Sequence, residues 1–179
     1  MDLSTAGAAG CAIALSWLML AAGAAKLRHR SEHARAVEAY ALLPAGAGRR
    51  VAPLLGALEC TAGAAVWLEG MQARAALLML VLLALYTGAV AINLARGRRD
   101  IDCGCAGTAA QVPLGGAVLV RNAALILAAL AVYARPAALA LVLDAWRSSL
   151  AALAVATLLV LLYNGANFLL SRDALLQDD

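Results

Sequence analysis

Charge is scarce in this chain: only 14% of its 179 residues are Asp, Glu, Lys or Arg, and only 4% are aromatic. Hydrophobic residues make up 64%, against about 45–50% apolar in soluble domains. That balance excludes an ordinary water-soluble globule. With so few aromatics and no soluble basic domain, nucleic-acid binding is excluded as well. The net charge of +3 is then a matter of topology and of contact with anionic lipid. The N-terminus also lacks the positive charge that opens a secretory signal. The first charge is Asp2, and the basic residues follow the first apolar run, so the first helix is expected to remain as an anchor. No apolar region precedes Cys11, which argues against lipoprotein acylation there.

Long apolar runs fill the space that charge leaves. A bilayer core of about 30 Å takes about 20 apolar residues as a helix. Ala6–Ala25, Val51–Leu68, Ala75–Ala95, Ala117–Ala134 and Ser149–Leu170 meet that requirement, and only Glu59, Asn93, Arg121 and Asn122 interrupt the middle three. The expectation is an all-α, polytopic transmembrane helical bundle: four core helices plus an additional C-terminal span. One integral membrane domain covers 1–179, with a core over about 6–134 and extra C-terminal helices over about 137–172. Joining Ala137–Ala145 to the last run would make a helix roughly 51 Å long, with Asp144 and Arg147 inside it. A short surface or re-entrant helix after Pro136 fits better.

Basic residues in short loops stay cytoplasmic. With five spans, Lys26, Arg28, Arg30, Arg35, Arg49, Arg50, Arg96, Arg98, Arg99, Arg121 and Arg172 share one side, and Arg74, Arg135 and Arg147 the other, eleven against three of the 14 Lys and Arg. That bias places the N-terminus outside, and it places the loop after Ala95 at the cytoplasmic face of a bacterial-type inner membrane.

This loop carries Cys103 and Cys105, one residue apart. A cytosolic cysteine pair is more often catalytic or metal-binding than a structural staple. Gly104 supplies the backbone freedom for a small strained disulfide ring, and strained exposed disulfides are the readily exchanged ones. Arg96, Arg98 and Arg99 favour the reactive thiolate while Asp100 and Asp102 oppose it, a net of +1. Three readings stand: a redox pair, a metal clamp completed by His29 and His33 at i, i+4, or loop cysteines with no role.

Glu59 is costly in the middle of an apolar span and calls for a polar partner. Lys26, at the end of the first run, can snorkel toward it, and Asn93, Asn164 and Asn167 are further polar groups. Cys11 and Cys60 read as inert small residues, or as a second thiol pair should their depths match.

Taken in order, several residues resemble the methylamine utilisation protein MauE family, which groups with the DoxX-like four-helix membrane proteins. They are Lys26, Tyr40-Ala-Leu-Leu-Pro44, Glu59, Asn93-Leu-Ala-Arg-Gly97, Cys103-Gly-Cys-Ala-Gly107 and Arg121-Asn122. The resemblance runs over roughly residues 6–134, and Ala106 stands where the family pattern expects an aromatic. It implies a membrane protein that works with a thioredoxin-like partner in thiol–disulfide traffic, which in the methylamine pathway serves an exported dehydrogenase subunit. On that reading Cys103 and Cys105 carry the exchange, and Gly104 and Gly107 shape the loop. Lys26, Glu59, Asn93, Arg121 and Asn122 form the polar surroundings. A non-enzymatic scaffold or transporter component with a Cys/His metal site is the alternative. A quinone-linked oxidoreductase, which would need an apolar pocket near the thiols, is a third.

Overall fold

The computed structural model describes residues 3–99, 101, 113–143 and 146–176. Helices α1 (Leu3–Arg28), α2 (Arg30–Ala39), α3 (Gly48–Ala65), α4 (Gln72–Ala95), α5 (Gly116–Ala134), α6 (Ala138–Leu143) and α7 (Trp146–Leu176) follow one another, with no strand among the described residues. Four stretches are long and apolar enough to cross a membrane: Ser4–Arg28, Gln72–Ala95, Gly116–Ala134 and Leu150–Leu169. The chain is a polytopic, all-α integral membrane protein.

Helix α3 differs from the expected span Val51–Leu68. It begins earlier and ends at Ala65, where the chain turns through Gly70 in the left-handed region at φ +70°. With Arg49, Arg50 and Glu59 in its 18 residues, α3 is outside the four apolar stretches. Its course nonetheless matches a crossing helix. It runs antiparallel to α1, with Glu59 at Lys26 and Gly63 at Ser16. Ser16 Oγ donates to the Gly63 carbonyl at 2.8 Å and accepts from Trp67 Nε1 at 2.8 Å. These bonds satisfy polar groups that lipid would leave unpaired.

The α1–α3 contact is close because small residues form it. A Cβ at Gly23 would lie 2.6 Å from both Cys60 Sγ and the Gly56 carbonyl, so the two backbones approach as only a glycine allows. Helices α4 and α5 are also antiparallel. Asn122 donates to Thr87 Oγ1 at 3.3 Å, and Val90 and Val118 share one cluster. At the opposite end Arg135 reaches Thr5 at 3.5 Å, so the end of α5 stands beside the start of α1. Helix α7 starts there too: a Cβ on Gly10 would meet Val155 and Ala152.

The side chains sort as a bilayer solvent requires. Many of the innermost are small or slender, Ala9, Ala52, Ala62, Ala76, Met79 and Ala129 among them, with Leu15, Val66 and Val90 filling the core between them, while Leu77, Val81, Val120, Leu127, Leu161 and Leu162 each expose half or more of their surface. Bulk faces outward because lipid costs it nothing, and helix contacts select small residues.

Chain direction gathers α2, the α2–α3 connection and the end of α4 at one end of the bundle. Arg74 and Arg135 stand at the other. The basic loops of the first and third connections therefore share one end, as their charge implies.

Candidate functional site

The polar end of the bundle is organised by how α4 stops. Arg96 caps the helix and Gly97 follows at φ +74°. The Gly97 amide then bonds the Leu94 carbonyl at 3.0 Å and the Arg98 amide bonds the Asn93 carbonyl at 3.0 Å. This pair of bonds is a Schellman motif, which glycine permits at no steric cost. The run Asn93-Leu-Ala-Arg-Gly97 is thus a helix terminator. It aims the next side chain back at the bundle: Arg98 donates to Asn93 Oδ1 at 3.1 Å, to the Tyr40 carbonyl at 3.3 Å and to the Ala39 carbonyl at 2.9 Å. Asn93 is fully buried and also donates to the Ala89 carbonyl. One arginine therefore ties the loop after α4 to the end of α2.

Beyond it, Ile101 is buried in a cluster with Val90, Leu114 and Val118, and Tyr40 packs against that cluster. The Leu114 amide donates to the carbonyls of Arg99 and Ile101, both at 3.1 Å. Cys103, Gly104, Cys105, Ala106 and Gly107, with Asp100 and Asp102, lie outside the described residues. What is described is the chain on either side of them, fixed at the end of the bundle that holds Lys26.

Lys26 reaches Glu59. Its Nζ donates to Oε1 at 3.0 Å and stands 3.0 Å from Oε2, with the carboxylate 1% exposed. Tyr86 Oη also donates to Oε1, at 2.6 Å, and its ring lies 5.6 Å from the ammonium. Oε2 faces the same ammonium but accepts no hydrogen bond of its own. Attraction between two buried charges offsets their desolvation only with good geometry and added hydrogen bonds, and Tyr86 supplies one. Tyr86 has no counterpart in the sequence reading. A phenol in mid-span has to find a partner for its hydroxyl, and that was the available signal.

Beside this cluster is a cavity of about 540 Å³ between α2, α3 and α4. Lys26, His33, Tyr40 and Tyr86 contribute its polar groups, and the rest of the wall is aliphatic.

Arg121 and Asn122 form a second buried cluster. Arg121 donates to Asn122 Oδ1 at 3.1 Å and to Asn167 Oδ1, and its guanidinium lies 5.3 Å from the centre of the Tyr163 ring. Asn167 and Tyr163 belong to α7.

Cys11 and Cys60 are both free thiols and are not brought together. Both α1 and α3 run on past their apolar segments, so Cys60 lies against Gly23. That is twelve residues along α1 from Cys11, about 18 Å of helix at about 1.5 Å per residue. His29 and His33 do not converge either. His29 is exposed at the break before α2, whereas His33 is buried and donates from Nδ1 to the His29 carbonyl at 3.1 Å. Among the described residues no three potential metal ligands cluster.

A family model, "Methylamine utilisation protein MauE", matches residues 4–135. The chain is 35% identical over 120 residues to a methylamine utilization protein MauE of Paracoccus denitrificans, covering 67% of this chain and 64% of that one. It is 34% identical over 158 residues to a protein of the same name from Methylophilus methylotrophus, covering 88% and 83%. A third such protein, from Methylorubrum extorquens, is 36% identical over 112 residues, covering 63% and 60%. The chain thus spans just under two thirds of the Paracoccus relative. No solved structure matches.

Proposed function

The chain belongs to the methylamine utilisation protein MauE family, and from that premise we propose that it is a membrane-embedded thiol–disulfide exchange protein that acts through Cys103 and Cys105 with a thioredoxin-like partner. One cysteine, as thiolate, attacks a partner disulfide. A new inter-protein S–S bond forms, the partner's bond breaks, and one partner thiolate leaves. The second cysteine attacks the mixed disulfide, so the partner departs as a dithiol and the Cys-Gly-Cys pair is left oxidised. The reverse sequence oxidises the partner and reduces the pair. Gly104 and Gly107 give the loop the backbone freedom to close the small ring. We extend this role to the redox maturation of an exported protein; the relatives are named for methylamine utilisation.

The observation that supports this reading best is the anchorage around the cysteines. Arg98, Asn93, Ile101 and Leu114 hold the flanking chain against the end of the bundle where Lys26, Glu59 and Tyr86 meet. By the positive-inside bias this end faces the cytoplasm of the inner membrane, and the N-terminus lies outside.

Trapping tests the proposal. Cys105→Ser or Cys103→Ser in whole cells is expected to capture a thioredoxin-fold protein as a mixed disulfide, reversed by dithiothreitol. A membrane-impermeant maleimide applied from each side then reports which face the pair occupies. If neither variant captures a thiol protein, and the pair shows no change of redox state in cells, the proposal is wrong.

A further inference from the structure

The cavity between α2, α3 and α4 has the character of a ligand site that opens toward lipid. Its volume of about 540 Å³ lies in the range of about 300–1,000 Å³ seen for small-molecule sites. Leu43, Leu85 and Ile92 line it and are each close to half exposed, which makes the rim part of the lipid-facing surface. Lys26 and His33 line it and are 9% and 7% exposed, which makes them its interior end. An occupant that satisfies both ends enters from the bilayer with a compact polar head and an apolar tail.

The charges select the head. Lys26 is matched by Glu59 at 3.0 Å, so the interior end carries no net charge to attract a phosphate or a carboxylate. It offers hydrogen bonds instead. The Lys26 ammonium is a donor. His33, whose Nδ1 proton is committed to the His29 carbonyl, keeps Nε2 as its second polar atom. A neutral ring with an oxygen that accepts when oxidised and donates when reduced suits that pair.

We propose that this cavity binds a prenylated quinone. The inference rests on the thiol-exchange reading above and supplies its electron acceptor. Two thiols of the Cys-Gly-Cys pair give up two electrons and two protons, one S–S bond forms, and the quinone leaves as quinol. Tyr40 and Val90 line the cavity and share a cluster with Ile101, two residues before Cys103.

Gly88 provides the test, because it lines the cavity and a Cβ there would meet nothing within 4 Å. A Cβ there has open space, so a leucine adds bulk at the cavity wall. The full chain in lipid nanodiscs, with Cys103 and Cys105 both changed to serine, is titrated with decylubiquinone by equilibrium dialysis. Saturable binding is expected, weakened at least tenfold by Gly88→Leu. Palmitate and phosphatidylglycerol at matched concentration should not displace the quinone. Absence of saturable binding overturns the site, and so does binding that Gly88→Leu leaves unchanged. Displacement by either lipid overturns the quinone assignment in favour of a lipid site. The serine pair keeps this outcome separate from thiol exchange: trapping can succeed while binding fails, or the reverse.

Discussion

Among the described residues, two cations, Lys26 and Arg121, are buried by different means. Lys26 meets a carboxylate and a phenol that are all carried by α1, α3 and α4. Arg121 meets amide oxygens and an aromatic face, and it draws Asn167 and Tyr163 from α7. The first cluster lies wholly within residues 4–135, the part that matches the family model, whereas the second reaches past it. A charge that is paired inside the core makes that core self-sufficient. A charge solvated by a later helix ties that helix to the core, here in addition to the small-residue packing of α7 on α1 around Gly10.

Four variants probe this contrast. Glu59→Ala leaves an ammonium buried without its counter-charge and should cost about 3–5 kcal/mol, read as a large drop in the thermal midpoint of the detergent-purified protein. Lys26→Met combined with Glu59→Leu should recover most of the loss. If the double variant is as unstable as the single one, the pair is not a self-contained unit. Asn167→Leu should cost about 1.5–3 kcal/mol, the range for a hydrogen bond to a charged group. It should also raise proteolytic cleavage between α6 and α7, because α7 loses its tie to Arg121. Equal protection in the variant and the parent would show that α7 is held by its apolar contacts with α1 alone. The smallest effect is expected of Tyr86→Phe, about 1.5 kcal/mol, the low end of that range, since Lys26 Nζ still donates to Oε1. A loss as large as that of Glu59→Ala would make the phenol, and not the ammonium, the main partner.

The membrane class, the apolar runs and the Lys26–Glu59 relation were legible in the sequence, because a carboxylate inside twenty apolar residues is too costly to leave alone. The bounds of α3 were less legible. Hydropathy weighs Arg49 and Arg50 against a span, while Gly48 and the residues after it continue the helix, and Trp67 turns back to Ser16 instead of extending it. Cys11 and Cys60 stand apart, as inert small residues would; the small depth difference counted from apolar boundaries understated their separation, because the helices overrun those boundaries in the α1–α3 contact. Arg98 counted only as loop charge, because its role depends on a left-handed Gly97 that redirects the chain. His29 and His33 looked like one helical face, but the backbone breaks at His29 (φ −108°, ψ 51°).

The glycine contact between α1 and α7 has a consequence in time. Gly10 packs on Val155 and Ala152, and Ala8, Ala9 and Ala152 form one buried cluster with Ala138. In synthesis α1 reaches the bilayer well before α7. At about 5–20 residues per second, the N-terminal half of α1 therefore waits about 7–30 s with its small-residue face against lipid. During that interval Arg121 waits for Asn167 as well. The nascent protein thus carries, until α7 arrives, both an open helix-docking stripe and a cation without one of its amide partners.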